Sequence, residues 1–181
     1  MSPEPTPSVG SAAIRGERPV FHPERLVAVL GRFKVSYVLT GSLAARLHGS
    51  PLLTAIADLV PALTAPNLDA VANALRHLNA RIYSETAPTG SDFEITPDTL
   101  MHSASWDLIT SCGRLRMAYR PAGGRTFDAI AKDAVRFMIH SDQVLVASLD
   151  DLVRMHEPPP SAEASAEGAV LRALQARSAG Y

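Results

Sequence analysis

Two short stretches of the chain carry residue types suited to binding a phosphate group. Gly41-Ser42 follow one apolar run, and Asp58 stands within another, Thr54–Leu63. A glycine lets the backbone approach a phosphate closely, and the N–H groups that begin a following helix can hold phosphate oxygens. A serine hydroxyl adds a donor, and a carboxylate on a neighbouring strand can hold Mg²⁺ against the same phosphates. The alternative interpretation is that Ser42 only caps the next helix.

These residues must be positioned by elements that the apolar pattern predicts. A helix opens at His22-Pro23, a buried strand covers Val35–Thr40, a short helix covers Leu43–His48, and Thr54–Leu63 is a strand. Residues 84–103 are predicted as a polar loop or irregular strands. Further helices and strands are predicted before and after a central hairpin. A helix over Asn67–Asn79 and a strand over Arg81–Tyr83 precede the hairpin of Trp106–Thr110 and Arg114–Tyr119. It is followed by a helix over Phe127–Ala134, strands over Val135–Ile139 and Gln143–Ala147, and helices over Leu149–His156 and Ala162–Arg177.

The order of these elements predicts the fold class. Strands and helices alternate, but a hairpin sits in the middle, which favours an α/β (α+β) fold with a small mixed sheet and flanking helices. The 181 residues suggest one domain, over residues 21–157. Residues 1–20 are rich in Pro, Ser, Gly and Glu and are predicted to be disordered. Residues 158–181 are predicted as a proline-rich break, Pro158-Pro159-Pro160, followed by the last helix.

Composition excludes several classes of function. The formal net charge of -1 gives no bulk electrostatic case for binding nucleic acid or an anionic membrane, although a local basic patch stays open. The single cysteine, Cys112, excludes an intrachain disulfide and a cysteine-rich metal site. No apolar run approaches the roughly 20 residues of a membrane span, and the first residues lack a signal-peptide core. We therefore expect a cytoplasmic protein with no membrane partner.

Residues 37–61, YVLTGSLAARLHGSPLLTAIADLVP, resemble a known motif over their whole length. It is the opening motif of the DNA-polymerase-β-like nucleotidyltransferases, in the version found in AbiEii-type and MenAT-type toxins. That version runs strand, Gly-Gly or Gly-Ser, a short helix with Leu-Ala-Ala and His-Gly, then Arg-x-Thr-x-Asp-x-Asp-Leu-Val-Pro. The matching residues here are Gly41-Ser42, Leu43-Ala44-Ala45, His48-Gly49, Thr54 and Asp58-Leu59-Val60-Pro61. Weaker similarity extends the resemblance to roughly residues 24–156, and it implies a nucleotidyltransferase-like fold.

The resemblance also implies a metal site from which this chain departs. Such enzymes hold Mg²⁺ with two acids two residues apart on one strand; here the second is Asp58 and the first position carries Ile56. The position of a third acid, on the second hairpin strand, carries Arg116, and a later lysine position carries His156. Two unit charges about 4 Å apart interact by roughly 4 kcal/mol at an effective dielectric of about 20. A divalent ion beside Arg116 is repelled more strongly still, so only weak Mg²⁺ binding is expected.

The resemblance implies roles for the residues that remain. Asp58 is expected to be the residual catalytic acid and the metal ligand, and Ser42 is expected to be a second catalytic residue. Gly41, Ser42, Arg116 and His156 are expected to bind the nucleotide, and Ile56, Asp58 and Arg116 are expected to lie together near Gly41-Ser42.

For Asp107 and for three arginines near it, two interpretations stay open. Asp107 is either a replacement acid or a solvated carboxylate of the hairpin. Arg114, Arg116 and Arg120 share strand parity and form either a phosphate or RNA patch or a solvated charged face.

Three functions follow from these residues. The first is a degenerate nucleotidyltransferase that binds a nucleotide, RNA or a protein partner with little or no turnover. The second is an active metal-dependent nucleotidyltransferase toxin that modifies tRNA or protein by means of Asp58. The third is a non-catalytic interaction protein that keeps only the fold. The expected partners are accordingly a nucleoside triphosphate, tRNA or an antitoxin-like protein.

Overall fold

The computed structural model describes residues 19–156 and 166–179. Three sequence predictions lie outside the described residues, wholly or in part. They are the disorder of residues 1–20 (apart from Pro19 and Val20), the helix stop at Pro158-Pro159-Pro160, and the start of the last helix at Ala162.

Within the described residues, seven strands form one sheet. They are β1 Tyr37–Thr40, β2 Ile56–Pro61, β3 Arg81–Ile82, β4 Ser105–Thr110, β5 Gly113–Ala118, β6 Val135–Ile139 and β7 Asp142–Val146. Their order across the sheet is β3-β4-β5-β2-β1-β7-β6. Strand β1 runs antiparallel to β2 and parallel to β7, while β2 runs parallel to β5. The β4–β5 and β6–β7 pairs are antiparallel hairpins. The predicted small mixed sheet is confirmed.

Seven helices flank this sheet in the described part of the chain. They are α1 Pro23–Arg32, α2 Gly41–Leu47, α3 Ala65–His77, α4 Pro97–Met101, α5 Phe127–Asp133, α6 Leu149–Met155 and α7 Ala166–Ser178. Helix α1 begins at Pro23, as predicted, and buries Leu26, Val27 and Leu30 at helical spacing. Helix α6 has the predicted N-cap, because the Ser148 hydroxyl accepts a hydrogen bond from the Asp151 backbone N–H at 3.2 Å. The sequence therefore specified most helices through caps and apolar spacing.

Two local predictions were wrong. The short helix after β1 begins at Gly41 rather than Leu43, and its N-cap is Thr40, so Ser42 is not the cap. Within the predicted loop 84–103, residues Pro97–Met101 form α4, where the Thr96 hydroxyl accepts from the Thr99 N–H at 3.1 Å. A capped helix of five residues is too short to show the apolar periodicity that a sequence argument needs.

The core lies around the central strands β1, β2 and β5. All four residues of β1 are buried, and Val38, Leu39 and Leu115 are fully shielded from solvent. Helix α2 packs on β1 and β2 and also contacts α6, which in turn contacts α7. These contacts fix the end of β1, where α2 begins, against the middle of β2. None of the helices in the described part of the chain is long and apolar enough to cross a membrane.

Candidate functional site

A row of polar side chains crosses four neighbouring strands at one level of the sheet. Thr40 on β1 is the cross-strand partner of Asp58 on β2, and Asp58 is the partner of Arg116 on β5. Arg116 is in turn the partner of Asp107 on β4. Cross-strand partners point to the same face of a sheet. The fold therefore places two carboxylates on either side of one guanidinium.

Asp58 and Arg116 form an ion pair at the centre of this row. The Arg116 Nε donates to Asp58 Oδ1 at 2.6 Å. The Asp58 side chain is only 15% exposed, whereas that of Arg116 is 48% exposed. The hydrogen bond to Asp58 raises the pKa of the Arg116 guanidinium above its ordinary value, so this group stays cationic. Ile56, Asp58 and Arg116 lie together, as expected, and Gly41 adjoins Asp58.

The other oxygen of Asp58 is packed against Gly41. Asp58 Oδ2 is buried and has no hydrogen-bond partner among the described residues. A Cβ added at Gly41 would overlap this oxygen, and Gly41 has a φ of 64°, in the left-handed region that favours glycine. The glycine is therefore needed for two reasons, its backbone angle and its contact with the carboxylate.

Asp107 forms its ion pair with Arg114 rather than with Arg116. Arg114 donates to it through two nitrogens, Nε to Oδ1 at 2.8 Å and Nη2 to Oδ2 at 2.5 Å. The Arg114 guanidinium also lies over the Tyr83 ring, 3.8 Å from its centroid. Both cations on β5 are thus paired with aspartates. Arg120 is exposed and lies beyond the end of β5, so the expected arginine face consists of two neutralised pairs and one separate side chain.

A cavity of about 470 Å³ opens over this row, and we name it the central cavity. Thr40, Gly41, Asp58, Asp107, Arg116 and His156 form its polar wall. Ala118, Pro121, Ala122 and Met155 form its apolar wall. Leu59, Trp106 and Met117 also border it, but they alternate with Asp58, Asp107 and Arg116 along their strands, so their side chains point to the opposite face of the sheet. A volume of several hundred cubic ångströms is typical of small-molecule sites. The sequence did not single out the apolar wall as a binding surface, since residues 118–122 and Met155 lie far apart in the chain.

The remaining predicted site residues lie around the central cavity. His156 ends α6, and its Nδ1 lies 2.8 Å from the Leu152 carbonyl oxygen. Its Nε2 lies 3.5 Å from Glu167 Oε2 on α7. The Ser42 hydroxyl bonds the Thr54 hydroxyl at 2.6 Å and does not line the cavity. His156 therefore lines the cavity with both ring nitrogens near protein oxygens, whereas Ser42 joins α2 to the segment before β2.

The side chains around Asp58 do not fit a resident Mg²⁺. Hard divalent cations need several accessible oxygen ligands, but Asp58 Oδ1 accepts from Arg116 and Oδ2 is buried on Gly41. In the described parts of the chain no group of three His, Cys, Asp or Glu side chains could hold a metal ion. The Arg116 guanidinium, which pairs with Asp58, repels any metal cation that approaches this carboxylate. The positive charge at this site is therefore supplied by Arg116.

Comparison with known proteins supports the fold assignment. No protein-family profile matches the chain, and no curated protein matches it. Its structure is similar to that of LnuA, a lincosamide antibiotic adenylyltransferase crystallised with lincomycin bound. The TM-score is 0.55 and the identity 13%, over 87% of this chain and 98% of that one. A protein of Thermotoga maritima described as a nucleotidyltransferase gives a TM-score of 0.46 and 16% identity, over 90% and 92% of the two chains. The similarity to LnuA shows that the chain has a nucleotidyltransferase-like fold.

Proposed function

We propose that this protein is a degenerate nucleotidyltransferase that binds a nucleotide in the central cavity with little or no turnover. The observation that carries the proposal is the ion pair between Asp58 and Arg116. Nucleotidyl transfer depends on charge stabilisation that is usually supplied by metal ions. The Arg116 guanidinium already pairs with the Asp58 carboxylate, so that carboxylate's negative charge is not free to bind a metal ion.

Two other positions support the loss of turnover. Ile56 lies on the same face of β2 as Asp58, two residues away, and offers no oxygen ligand. His156 stands where the resemblance implies a lysine, whose ammonium group is a permanent cation at neutral pH. An apolar residue, a paired arginine and a histidine replace the groups that would bring a metal and a permanent cation to the phosphates.

The shape of the central cavity favours a nucleotide over a bare anion. Pro121, Ala122 and Met155 supply apolar surface for a base. Arg116 supplies the cation for a phosphate group. The Arg116 side chain is 48% exposed, which suits both a free nucleotide and the end of an RNA chain such as a tRNA.

A second candidate is an active metal-dependent nucleotidyltransferase, a toxin that modifies tRNA or protein and is held by an antitoxin-like partner. It is favoured by Asp107, whose carboxylate lines the same cavity as Asp58. Release of Asp107 from Arg114 and of Asp58 from Arg116 would give the row two free acids. This candidate requires both ion pairs to open before catalysis.

Label transfer and thermal unfolding separate these functions. Each labelled nucleoside triphosphate is incubated with the protein, Mg²⁺ and either tRNA or protein acceptors, and we expect no transfer above background. The unlabelled nucleotides should raise the unfolding midpoint, since a ligand at 100 times its Kd adds roughly 2.7 kcal/mol. Robust transfer that is lost in Asp58→Ala would support the active enzyme. No stabilisation by any nucleotide would support the non-catalytic interaction protein.

A further inference from the structure

We infer that Arg116 binds the phosphate of the nucleotide directly, so that binding at the central cavity needs no divalent metal ion. The inference rests on the proposed function, because it assumes that a nucleotide enters this cavity. It goes further by assigning the phosphate contact to one side chain. It also predicts that Asp58, the acid expected to promote metal-nucleotide binding, weakens binding instead.

The first step concerns the donors that Arg116 still has. A guanidinium carries five N–H donors, and the structure uses one, the Nε that donates to Asp58. The two terminal amino groups make no hydrogen bond to any residue that the structure describes. The side chain is 48% exposed and lines the central cavity. Arg116 can therefore keep its bond to Asp58 and donate from its terminal amino groups to phosphate oxygens, which are strong acceptors for arginine.

The second step is that the neighbouring arginine cannot do the same. Arg114 already uses two nitrogens on Asp107, and the face of its guanidinium lies over Tyr83. It does not line the central cavity. Of the two cations on β5, only Arg116 combines unused donors with access to the cavity.

The third step is whether Asp58 strengthens or weakens the binding of a nucleotide. Both of its oxygens are engaged or covered, so it has none to offer a metal or a ligand. Its negative charge nevertheless lies next to the guanidinium and opposes an incoming phosphate. Asp58 thus orients Arg116 while lowering its attraction for anions. Neutralising Asp58 should strengthen the binding of a metal-free nucleotide, whereas it would abolish binding that depends on a metal held by Asp58.

Calorimetry of the full chain tests these statements. The four common nucleoside triphosphates and their monophosphates are titrated in buffer with EDTA and in buffer with Mg²⁺. We expect equal or tighter binding in EDTA, because Mg²⁺ neutralises the phosphates that Arg116 attracts. In Asp58→Asn, affinity in EDTA should rise, by up to about tenfold, because the negative charge next to Arg116 is removed. In Arg116→Gln it should fall about tenfold, as expected when one charge-assisted hydrogen bond is lost.

Two further variants keep the test decisive. Arg116→Gln leaves the Asp58 charge half-buried without a partner, so the double variant Asp58→Asn/Arg116→Gln is measured as well and should show the same loss of affinity. Arg81→Gln is the matched control: Arg81 lies on the same sheet, is similarly exposed and pairs with Asp92 at 2.9 Å, but does not line the central cavity. Its affinity should equal that of the wild type.

The outcomes separate this inference from the proposed function. Nucleotide binding that requires Mg²⁺ and disappears in Asp58→Asn would overturn the inference and leave nucleotide binding intact. Binding that is unchanged in both Arg116 variants would also overturn it, because the phosphate would then be held elsewhere. No binding by the wild type in either buffer would overturn the inference and the proposed function together.

Discussion

At the scale of single residues, the candidate site depends on how Asp58 is held. One of its oxygens accepts from Arg116, and the other is pressed against Gly41, where no side chain could fit. A carboxylate held in this way has no freedom to turn toward a ligand. The glycine of the Gly-Ser pair, which in the sequence indicates a phosphate-binding loop, here makes room for an acid of the protein itself.

Gly41→Ala tests this role of the glycine. We expect it to destabilise the protein for two reasons, the left-handed backbone angle and the overlap with Asp58. The backbone angle alone costs a residue with a Cβ roughly 1–2 kcal/mol. Gly124→Ala is the control, since its φ is 71° and a Cβ there would meet nothing within 4 Å. Urea unfolding should show a loss for Gly41→Ala that exceeds the loss for Gly124→Ala by at least about 1 kcal/mol. Equal losses would mean that Asp58 moves away freely and is not held by Gly41.

The sequence could predict which residues meet at the site but not how they bind one another. The spacing within residues 37–61 and the resemblance placed Asp58 near Arg116, and the register confirms that they are partners. The ion pair between them was not predicted, because the alternation of residues along a strand shows to which face of the sheet a side chain points but not its conformation. The neighbouring position of Asp107 could have been found by counting outward from the hairpin turn, where Thr110 pairs with Gly113.

At the scale of elements, local signals explain most of what was predicted. Apolar spacing, a proline at the start of α1 and the Ser148 cap of α6 are all local properties of the chain. The order of the strands is not local: β2 and β5 are neighbours although α3, β3, α4 and β4 separate them in the sequence. Such pairing is decided by the burial of both faces of the central strands, which no single segment reveals.

Helix α6, which carries Met155 to the central cavity, is anchored by a buried acid. The Asp151 side chain is 0% exposed, and its Oδ1 accepts from Arg125 at 2.5 Å and from Arg154 at 2.8 Å. Its Oδ2 accepts from the Ser148 hydroxyl at 3.2 Å. Because Arg125 lies just before α5 and also donates to Asp133, this network ties α6 to α5.

Asp151→Asn should therefore loosen α6. We expect a loss of about 3 kcal/mol in the free energy of unfolding, at the lower end for breaking a buried ion pair, because the arginines stay partly exposed. Asp133→Asn is the matched control: it contacts the same Arg125 but is half exposed, so the unfolding midpoint should barely change. Chemical denaturation of both variants gives the comparison. Similar small losses in both would show that the network does not hold the helix.

At the scale of the whole molecule, the fold brings β2, β5 and α6 to one cavity. Asp58 comes from β2, Arg116 from β5 and His156 from the end of α6, while Ile56 lies two residues before Asp58 on the same face of β2. A nucleotidyltransferase-like fold that keeps this arrangement should keep the positions of a metal centre even when the side chains have changed. On the proposed function, the three departures can be reversed together and the site should respond.

The last prediction is that Ile56→Asp, Arg116→Asp and His156→Lys together create Mg²⁺-dependent nucleotide binding. The first change places a second acid on the Asp58 face of β2, and the second removes the cation that pairs with Asp58. The third adds a cation that stays protonated at neutral pH. Each change alone should do little. An acid at position 56 faces its cross-strand partner Arg114, and Arg116 still occupies Asp58 unless it too is replaced. The effects should therefore be non-additive.

Calorimetry with Mg²⁺ and nucleoside triphosphates should show tighter binding in the triple variant than in the wild type or any single variant. The control triple variant Ile56→Asn, Arg116→Asn and His156→Gln has side chains of similar size without the new charges, and it should gain nothing from Mg²⁺. New acids that stay unpaired cost stability, so the unfolding midpoint of each variant is measured in parallel. Suppose the charged triple variant folds normally and still binds no better with Mg²⁺ than the control. The cavity would then lack the geometry of a metal centre, and a protein that keeps the fold for non-catalytic interaction would become the better account.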